Sequence, residues 1–221
     1  MSVFIPLPVK VPQPIKWLYS GYTWDKFNEV KEEKILYLTF DDGPIPEVTP
    51  WVLETLVKFN AKATFFCIGD NVSKHLEIYR LLLESDNTVG NHTFNHLKGW
   101  RTPTNEYVKN VLKAQNEIEK GLASTEKKQK KFLRPPYGKI KNGQAKKLKK
   151  LGFEIIMYDT IAYDWDASIA GEKCADNIIK HAKSGSIIVF HDSLKAEKNL
   201  KLALPEVLEY YTNKGYKFEA L

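Results

Sequence analysis

Residues 35–44 read Ile35-Leu36-Tyr37-Leu38-Thr39-Phe40-Asp41-Asp42-Gly43-Pro44: six strand-favouring residues, two adjacent carboxylates, then Gly-Pro. A short apolar run bounded by turn residues reads as a buried strand. Two neighbouring carboxylates at its end repel each other unless something cationic stands close by. A divalent metal would meet that need, whereas the plainer reading is a turn, since Asp-Gly-Pro is ordinary turn chemistry. The rest of the chain decides between them.

Outward from this stretch, the same kind of run recurs. Strands are predicted over 35–40, 63–68, 87–90, 131–133, 153–158, 186–190 and 216–220, each bounded by Gly, Pro or Asn. Between them lie amphipathic stretches predicted as helices over 48–59, 73–85, 105–120, 142–151, 172–183 and 205–213. In the first, Val48, Val52, Leu56 and Phe59 fall at helical spacing. Strand-helix alternation implies a parallel sheet covered by helices, either doubly wound or a small incomplete barrel. In both, active groups gather where strands end and the following loops begin.

Four more polar clusters follow other strands. His92-Thr93-Phe94-Asn95-His96 places two imidazoles four residues apart, which on one helical turn would share a face and could share a metal with a carboxylate. Arg134-Pro135-Pro136-Tyr137-Gly138 uses two prolines to fix the backbone direction. Asp159 and Asp164-Trp165-Asp166 follow the fifth strand and could pair with a cation or cap a helix. Ile187-Ile188-Val189-Phe190-His191-Asp192 ends an apolar strand on a histidine suited to general acid chemistry. Each cluster alone could be a turn, a cap or a satisfied core group. Five clusters after five strands are hard to assign to independent accidents.

Composition bounds the rest. The chain has 221 residues, 43% of them hydrophobic, enough for one domain with a substantial core. Thirty-three Lys and Arg against 27 Asp and Glu give a net charge of +6. The excess lies in lysine-rich stretches at 127–131 and 139–150 that read as a solvated loop and helix face; they fit an anionic polymer without requiring one. No aromatic interleaving or recognition motif accompanies them, so nucleic acid is not expected as a partner. Cys67 sits in an apolar run as an expected buried free thiol, and two cysteines suit a reducing compartment. Neither a signal peptide nor a membrane-spanning run is visible. Cytoplasm is the default expectation, with the cell envelope if a leader is missing, and the chain is expected to be a monomer. Residues 1–33, proline-rich and then aromatic at Trp17, Tyr19, Tyr22, Trp24 and Phe27, read as an arm packed on a domain spanning 34–221.

Taken in order and spacing, Thr39–Pro44, His92–His96, Arg134–Gly138 and 188–192 resemble the motifs of the polysaccharide deacetylase family, carbohydrate esterase family 4, also called the NodB-homology domain. The resemblance runs from about residue 35 to 221. It implies a distorted, incomplete (β/α) barrel of about seven strands, TIM-like in plan. It also implies a hydrolase that removes N-acetyl groups from an amino-sugar polymer such as peptidoglycan or chitin. Asp42, His92 and His96 would hold one divalent ion, Zn²⁺ first, with Co²⁺ or Ni²⁺ as alternatives. Asp41 would be the general base on a metal-bound water, kept ionised by Arg134. The Tyr137 backbone N–H would stabilise the oxyanion, and His191 would protonate the leaving amine. Trp165, Val189 and Pro136 would contact the substrate. The fourth motif departs from the family pattern: Ile161 stands where its first aspartate is expected, while Asp164 and Trp165 are present. Asp164 would then tune His191, and Asp159 is a possible substitute for the missing carboxylate. Alternatives are a deformylase or other linear-amide hydrolase on the same barrel, or an inactive glycan-binding homologue.

Overall fold

The run that opens the domain forms strand β1 (Ile35–Asp41) at the centre of the sheet. The computed structural model describes residues 8–30, 32–122 and 130–221, so Lys127 and Lys128 of the first lysine-rich stretch lie outside the described residues. The other strands are β2 (Ala63–Cys67), β3 (Thr88–Asn91), β4 (Lys131–Leu133), β5 (Phe153–Ile155), β6 (Thr160–Ile161), β7 (Ile187–His191) and β8 (Lys217–Phe218). Their order is β5-β4-β3-β2-β1-β7-β6, with β8 beside the start of β1, and every pairing is parallel. Helices α2 (Thr49–Lys58), α4 (Leu76–Glu84), α5 (Thr104–Leu122), α6 (Asn142–Lys150), α7 (Gly171–Ile179) and α8 (Glu197–Asn213) connect the strands, and α1 (Gln13–Leu18) precedes them. A short helix, α3 (Gly69–Lys74), leads into α4. The result is a distorted, incomplete (β/α) barrel.

Because side chains alternate along a strand, each strand sorts its residues between two cores. Leu36, Leu38 and Phe40 of β1, Phe65 of β2 and Ile188 and Phe190 of β7 pack outward in the core shared with the helices. Phe66, Ile187 and Val189 face the other way, into the barrel interior with Phe132, Tyr158 and Ile161. Thr39 and Asp41 share that inner parity on β1, and so does His191 on β7. The register sets Asp41 directly beside His191.

Several predicted boundaries move. The strand predicted over 153–158 ends at Ile155 as β5, because the chain stops pairing with β4 there, and an unpredicted strand, β6, pairs with β7 from Thr160. The barrel is open between these strands, and the N-terminal segment lies in the gap: Thr23 N–H donates to Ile155 O, Met157 N–H to Thr23 O, and Val11 N–H to Asp159 O. The helix predicted over 73–85 becomes α3 and α4, separated at His75, whose backbone leaves the helical region (φ −125°). The split serves two packing directions, since α3 ties to the loop after β3 through Gly69 and Asp70 N–H groups, whereas α4 buries Tyr79, Leu82 and Leu83. The helix predicted from 205 starts at Glu197 and carries Pro205 inside. An interior proline costs ~3 kcal/mol, a penalty outweighed by burial of Leu200, Ala203, Leu204, Val207, Leu208 and Tyr211 on one face.

Candidate active site

At the carboxyl ends of β1 and β3, Asp42, His92 and His96 bring one ligand atom each within 4.8 Å of the others. Asp42 Oδ1 lies 3.7 Å from His92 Nε2 and 3.5 Å from His96 Nε2. Ligand atoms ~2.0–2.2 Å from a tetrahedral ion sit about 3.3–3.5 Å apart, so the trio is close to ligating spacing. Asp42 Oδ1 is buried and has no hydrogen-bond partner among the described residues. A buried carboxylate oxygen without a donor is costly, and a cation resolves that cost. The two-nitrogen, one-oxygen donor set therefore fits a divalent ion. His92 Nδ1 donates to Arg134 O at 2.8 Å, which leaves the Nε2 lone pair facing Asp42. Burial and the neighbouring His92 push His96 down to about 4, so its imidazole is neutral and available as a ligand.

The two histidines do not stand on a helical turn, as their spacing predicted. Thr93 and His96 both adopt positive φ (67° and 55°), and the loop is held by side chains. Asn91 Oδ1 accepts from Thr93 N–H, Asn110 Oδ1 from Phe94 N–H, and Thr93 Oγ1 from Leu97 N–H. Asn91 and Asn110 are positioning residues that spacing arguments missed. Two others hold Asp42 from either side, where its own backbone is left-handed (φ 85°). Asn71 Nδ2 donates to Asp42 O, and buried Asp192 accepts from Gly43 N–H and from the Thr49 hydroxyl. A Cβ at position 43 would lie 1.9 Å from Asp192 Oδ2, so glycine is required there.

Asp41 is buried beside that ligand set and accepts from Arg134 Nη1 at 2.8 Å. Burial raises its pKa, but Arg134, His92 and His191 outweigh burial and hold the carboxyl below its ordinary value. Arg134 is itself only 2% exposed and also donates to Thr39 Oγ1 and Met157 O. Its guanidinium lies 4.1 Å from the Phe66 ring centroid. The result is an ionised carboxylate held rigidly in a dry wall.

Across β1, His191 Nδ1 is 2.9 Å from Asp164 Oδ1, and His191 N–H donates to Asp164 Oδ2. Burial disfavours the imidazolium, yet Asp164 outweighs it and raises the pKa to about 9. Asn199 Nδ2 holds the Asp164 loop through the carbonyls of Asp164, Asp166 and Ile169. Asp159 does not substitute for the missing carboxylate of the fourth motif. It pairs with Lys16 and Lys10 and accepts from Ser186 at the opposite end of β7. The position of that missing aspartate, Ile161, packs in the barrel interior with Val189 and Trp165. The Trp165 ring stands edge-on to His191 at 4.7 Å.

At the rim, Pro136 is buried and Tyr137 follows with φ 61°, its ring 44% exposed and 4.7 Å from His96. Trp100 lies edge-on to Tyr137 at 5.2 Å, and Lys98 and Lys139 stand over the Tyr137 and Trp100 rings. Asp41, Asp42, His92, His96, Arg134, Tyr137, Asp164, Trp165 and His191 thus gather at one end of the barrel, whereas Asp159 does not. The arrangement sets a trio of candidate metal ligands beside an ionised carboxylate and a protonated imidazole, a combination that suits hydrolysis of an amide.

Comparison with known proteins points the same way. The family described as polysaccharide deacetylase matches residues 28–156. A peptidoglycan-N-acetylglucosamine deacetylase of Bacillus cereus is 33% identical over 202 residues, covering 90% of this chain and 91% of its own. The peptidoglycan-N-acetylmuramic acid deacetylase PdaC of Bacillus subtilis is 30% identical and covers 84% of this chain, which spans only 37% of that longer protein. Among solved structures, the Bc1960 peptidoglycan N-acetylglucosamine deacetylase superposes with a TM-score of 0.83 at 28% identity, covering 94% of each chain.

Proposed function

The chain belongs to the polysaccharide deacetylase family, and from that premise we propose that it hydrolyses the N-acetyl amide of amino sugars in a peptidoglycan-type glycan, with Zn²⁺ held by Asp42, His92 and His96. The observation that carries this reading is the ligand trio, with its unpartnered Asp42 oxygen, set between Asp41–Arg134 and His191–Asp164. When bound, such an ion supplies Lewis acidity, which polarises an amide carbonyl and makes water a stronger nucleophile at neutral pH.

The protein's own residues supply the rest. Asp41, ionised against Arg134, accepts the proton of the attacking water. The Tyr137 N–H, presented by the rigid Pro135-Pro136 segment and a left-handed backbone, donates to the developing oxyanion. His191, with Nδ1 engaged by Asp164, delivers a proton from Nε2 to the leaving nitrogen. Val189 and Trp165 form the apolar wall against which the acetyl methyl rests. The B. cereus relative suggests N-acetylglucosamine units and the PdaC relative N-acetylmuramic acid units.

The test is acetate release from chitooligosaccharides and from peptidoglycan fragments carrying either sugar, with metal-stripped protein reconstituted with Zn²⁺, Co²⁺ or Ni²⁺. Asp41→Asn is expected to abolish release while the metal still binds; substantial residual turnover would remove Asp41 as the base. Scoring formate against acetate on a panel of acyl amides distinguishes a deacetylase from a deformylase. Glycan binding without any acyl release by the metal-loaded wild type would overturn the catalytic reading.

A further inference from the structure

The aromatic N-terminal segment plays no part in the chemistry just described, yet it builds one wall of a second cavity. Tyr19, Tyr22 and Trp24 of that segment face Trp100, Lys139 and Tyr158 of the barrel across about 330 Å³. Small-ligand sites begin at roughly this size, ~300 Å³, and combine mostly apolar walls with a few polar groups. The walls are held in place by local bonds. Trp24 Nε1 donates to Tyr19 O, and the Tyr19 and Tyr22 rings stack at 5.9 Å with planes 9° apart. Thr23 pairs alongside Ile156 at the open edge of β5, so the segment is docked on the barrel and the cavity has two fixed sides.

The cavity adjoins the rim of the active site. Trp100 belongs to both, because it lines the cavity and meets the Tyr137 ring at 5.2 Å. Tyr137 in turn meets His96 at 4.7 Å. An extended ligand lying over Tyr137 from the metal ligands would enter the cavity past Trp100. We propose that this cavity binds a further pyranose unit of the glycan strand, beyond the neighbour of the unit whose N-acetyl group is cleaved and so out of reach of a dimer. The proposal rests on the deacetylase reading above. A pyranose matches the lining: its C–H faces suit the Trp24 and Trp100 surfaces, while its hydroxyl rim suits tyrosine hydroxyls and the Lys139 ammonium.

The cavity can be filled without touching the chemistry. Ile15 lines it from α1, is 39% exposed and accepts a larger side chain without disturbing the core. Ile15→Trp is therefore made beside Trp24→Ala, and kcat/KM is measured on N-acetylglucosamine dimer and pentamer. The wild type is expected to prefer the pentamer. Ile15→Trp is expected to lower pentamer kcat/KM about tenfold, a loss on the scale of one aromatic contact, and to leave the dimer unchanged. Equal changes on both substrates, or no change on either, would overturn the cavity as a subsite, and Ile15→Trp decides the matter if Trp24→Ala fails to fold. Should the wild type release no acetate from any oligomer, the deacetylase reading fails first. Calorimetric titration with the pentamer then tests the cavity by itself: about tenfold weaker binding to Ile15→Trp supports it, and equal binding overturns it.

Discussion

His191 and Asp164 show how a single contact sets a functional property. Burial alone would make the imidazole neutral, but the Asp164 carboxylate at 2.9 Å outweighs burial and raises its pKa to about 9. The histidine then carries its proton at neutral pH and loses it as pH rises through about 9, so kcat/KM should fall along an alkaline limb centred near that value. Asp164→Asn removes the charge that sustains the imidazolium; pH–rate profiles should show the limb moved to lower pH and turnover reduced by ~10²–10⁴. An unmoved limb would disconnect Asp164 from the acid. The sign for stability follows from the raised value. The pair's contribution is complete below about 6.5 and is lost as pH climbs through about 9. At the metal, Asp42→Ala removes the only carboxylate of the trio, and elemental analysis should find the purified variant depleted of metal. This scale was the most legible in the sequence: residue types and strand-end placement singled out the Asp41–Asp42 pair, His92 and His96, and the family resemblance chose Asp42 as the third candidate ligand. Whether Asp159 stands in for the missing carboxylate of the fourth motif was not legible there, since that depends on which end of the barrel its side chain reaches.

Most secondary-structure elements were legible in kind, but not their ends, nor α1, the separate α3 and β6. A helical turn was expected at His92–His96 because periodicity assumes regular backbone. The side chains of Asn91, Asn110 and Thr93 replace helical hydrogen bonds with their own, and two positive φ values follow. Asn91 is fully buried and also donates to Val111 O and Gln115 Oε1. Asn91→Ala should therefore cost ~1–3 kcal/mol in denaturant unfolding and weaken metal affinity ~10- to 100-fold, measured by competition with a chelating dye. Retained affinity would mean that the turn holds itself. In α8, the prediction begins the helix at Pro205. The apolar face running from Leu200 to Tyr211 carries the helix through it instead. Pro205→Ala restores a backbone donor at that point, so the melting temperature is expected to rise. A fall would show that the proline ring itself is needed for the packing of α8.

Across the whole molecule, the open edge between β5 and β6 is bridged by the N-terminal segment, which is fixed there by a buried ionic cluster. Asp159, fully buried, pairs with Lys16; Lys16, 5% exposed, is also 2.7 Å from Asp25. Burial pushes the Asp159 carboxyl up, but its bonds from Lys16 and Ser186 hold it below the ordinary carboxylate value. Its stabilising contribution is therefore present above about 3.8 and is lost as pH falls through the lowered value. Asp159→Asn leaves Lys16 with less compensation in a dry site and should cost ~3–5 kcal/mol in urea unfolding, with turnover per folded molecule unchanged. Loss of turnover without loss of stability would mean that the cluster communicates with the active site. The sequence by itself determined the alternation of strands and helices, the parallel sheet and the set of residues at the strand ends. Those depend on local periodicity and on residue chemistry, which are written along the chain. Only the tertiary structure decided that Asp159 lies away from His191, how the two histidines face one carboxylate, and what lies in the barrel's open side. Each of these depends on contacts between residues far apart in the chain, such as Asp164 with His191 or Lys16 with Asp159, and no local pattern encodes which distant partner will be nearest.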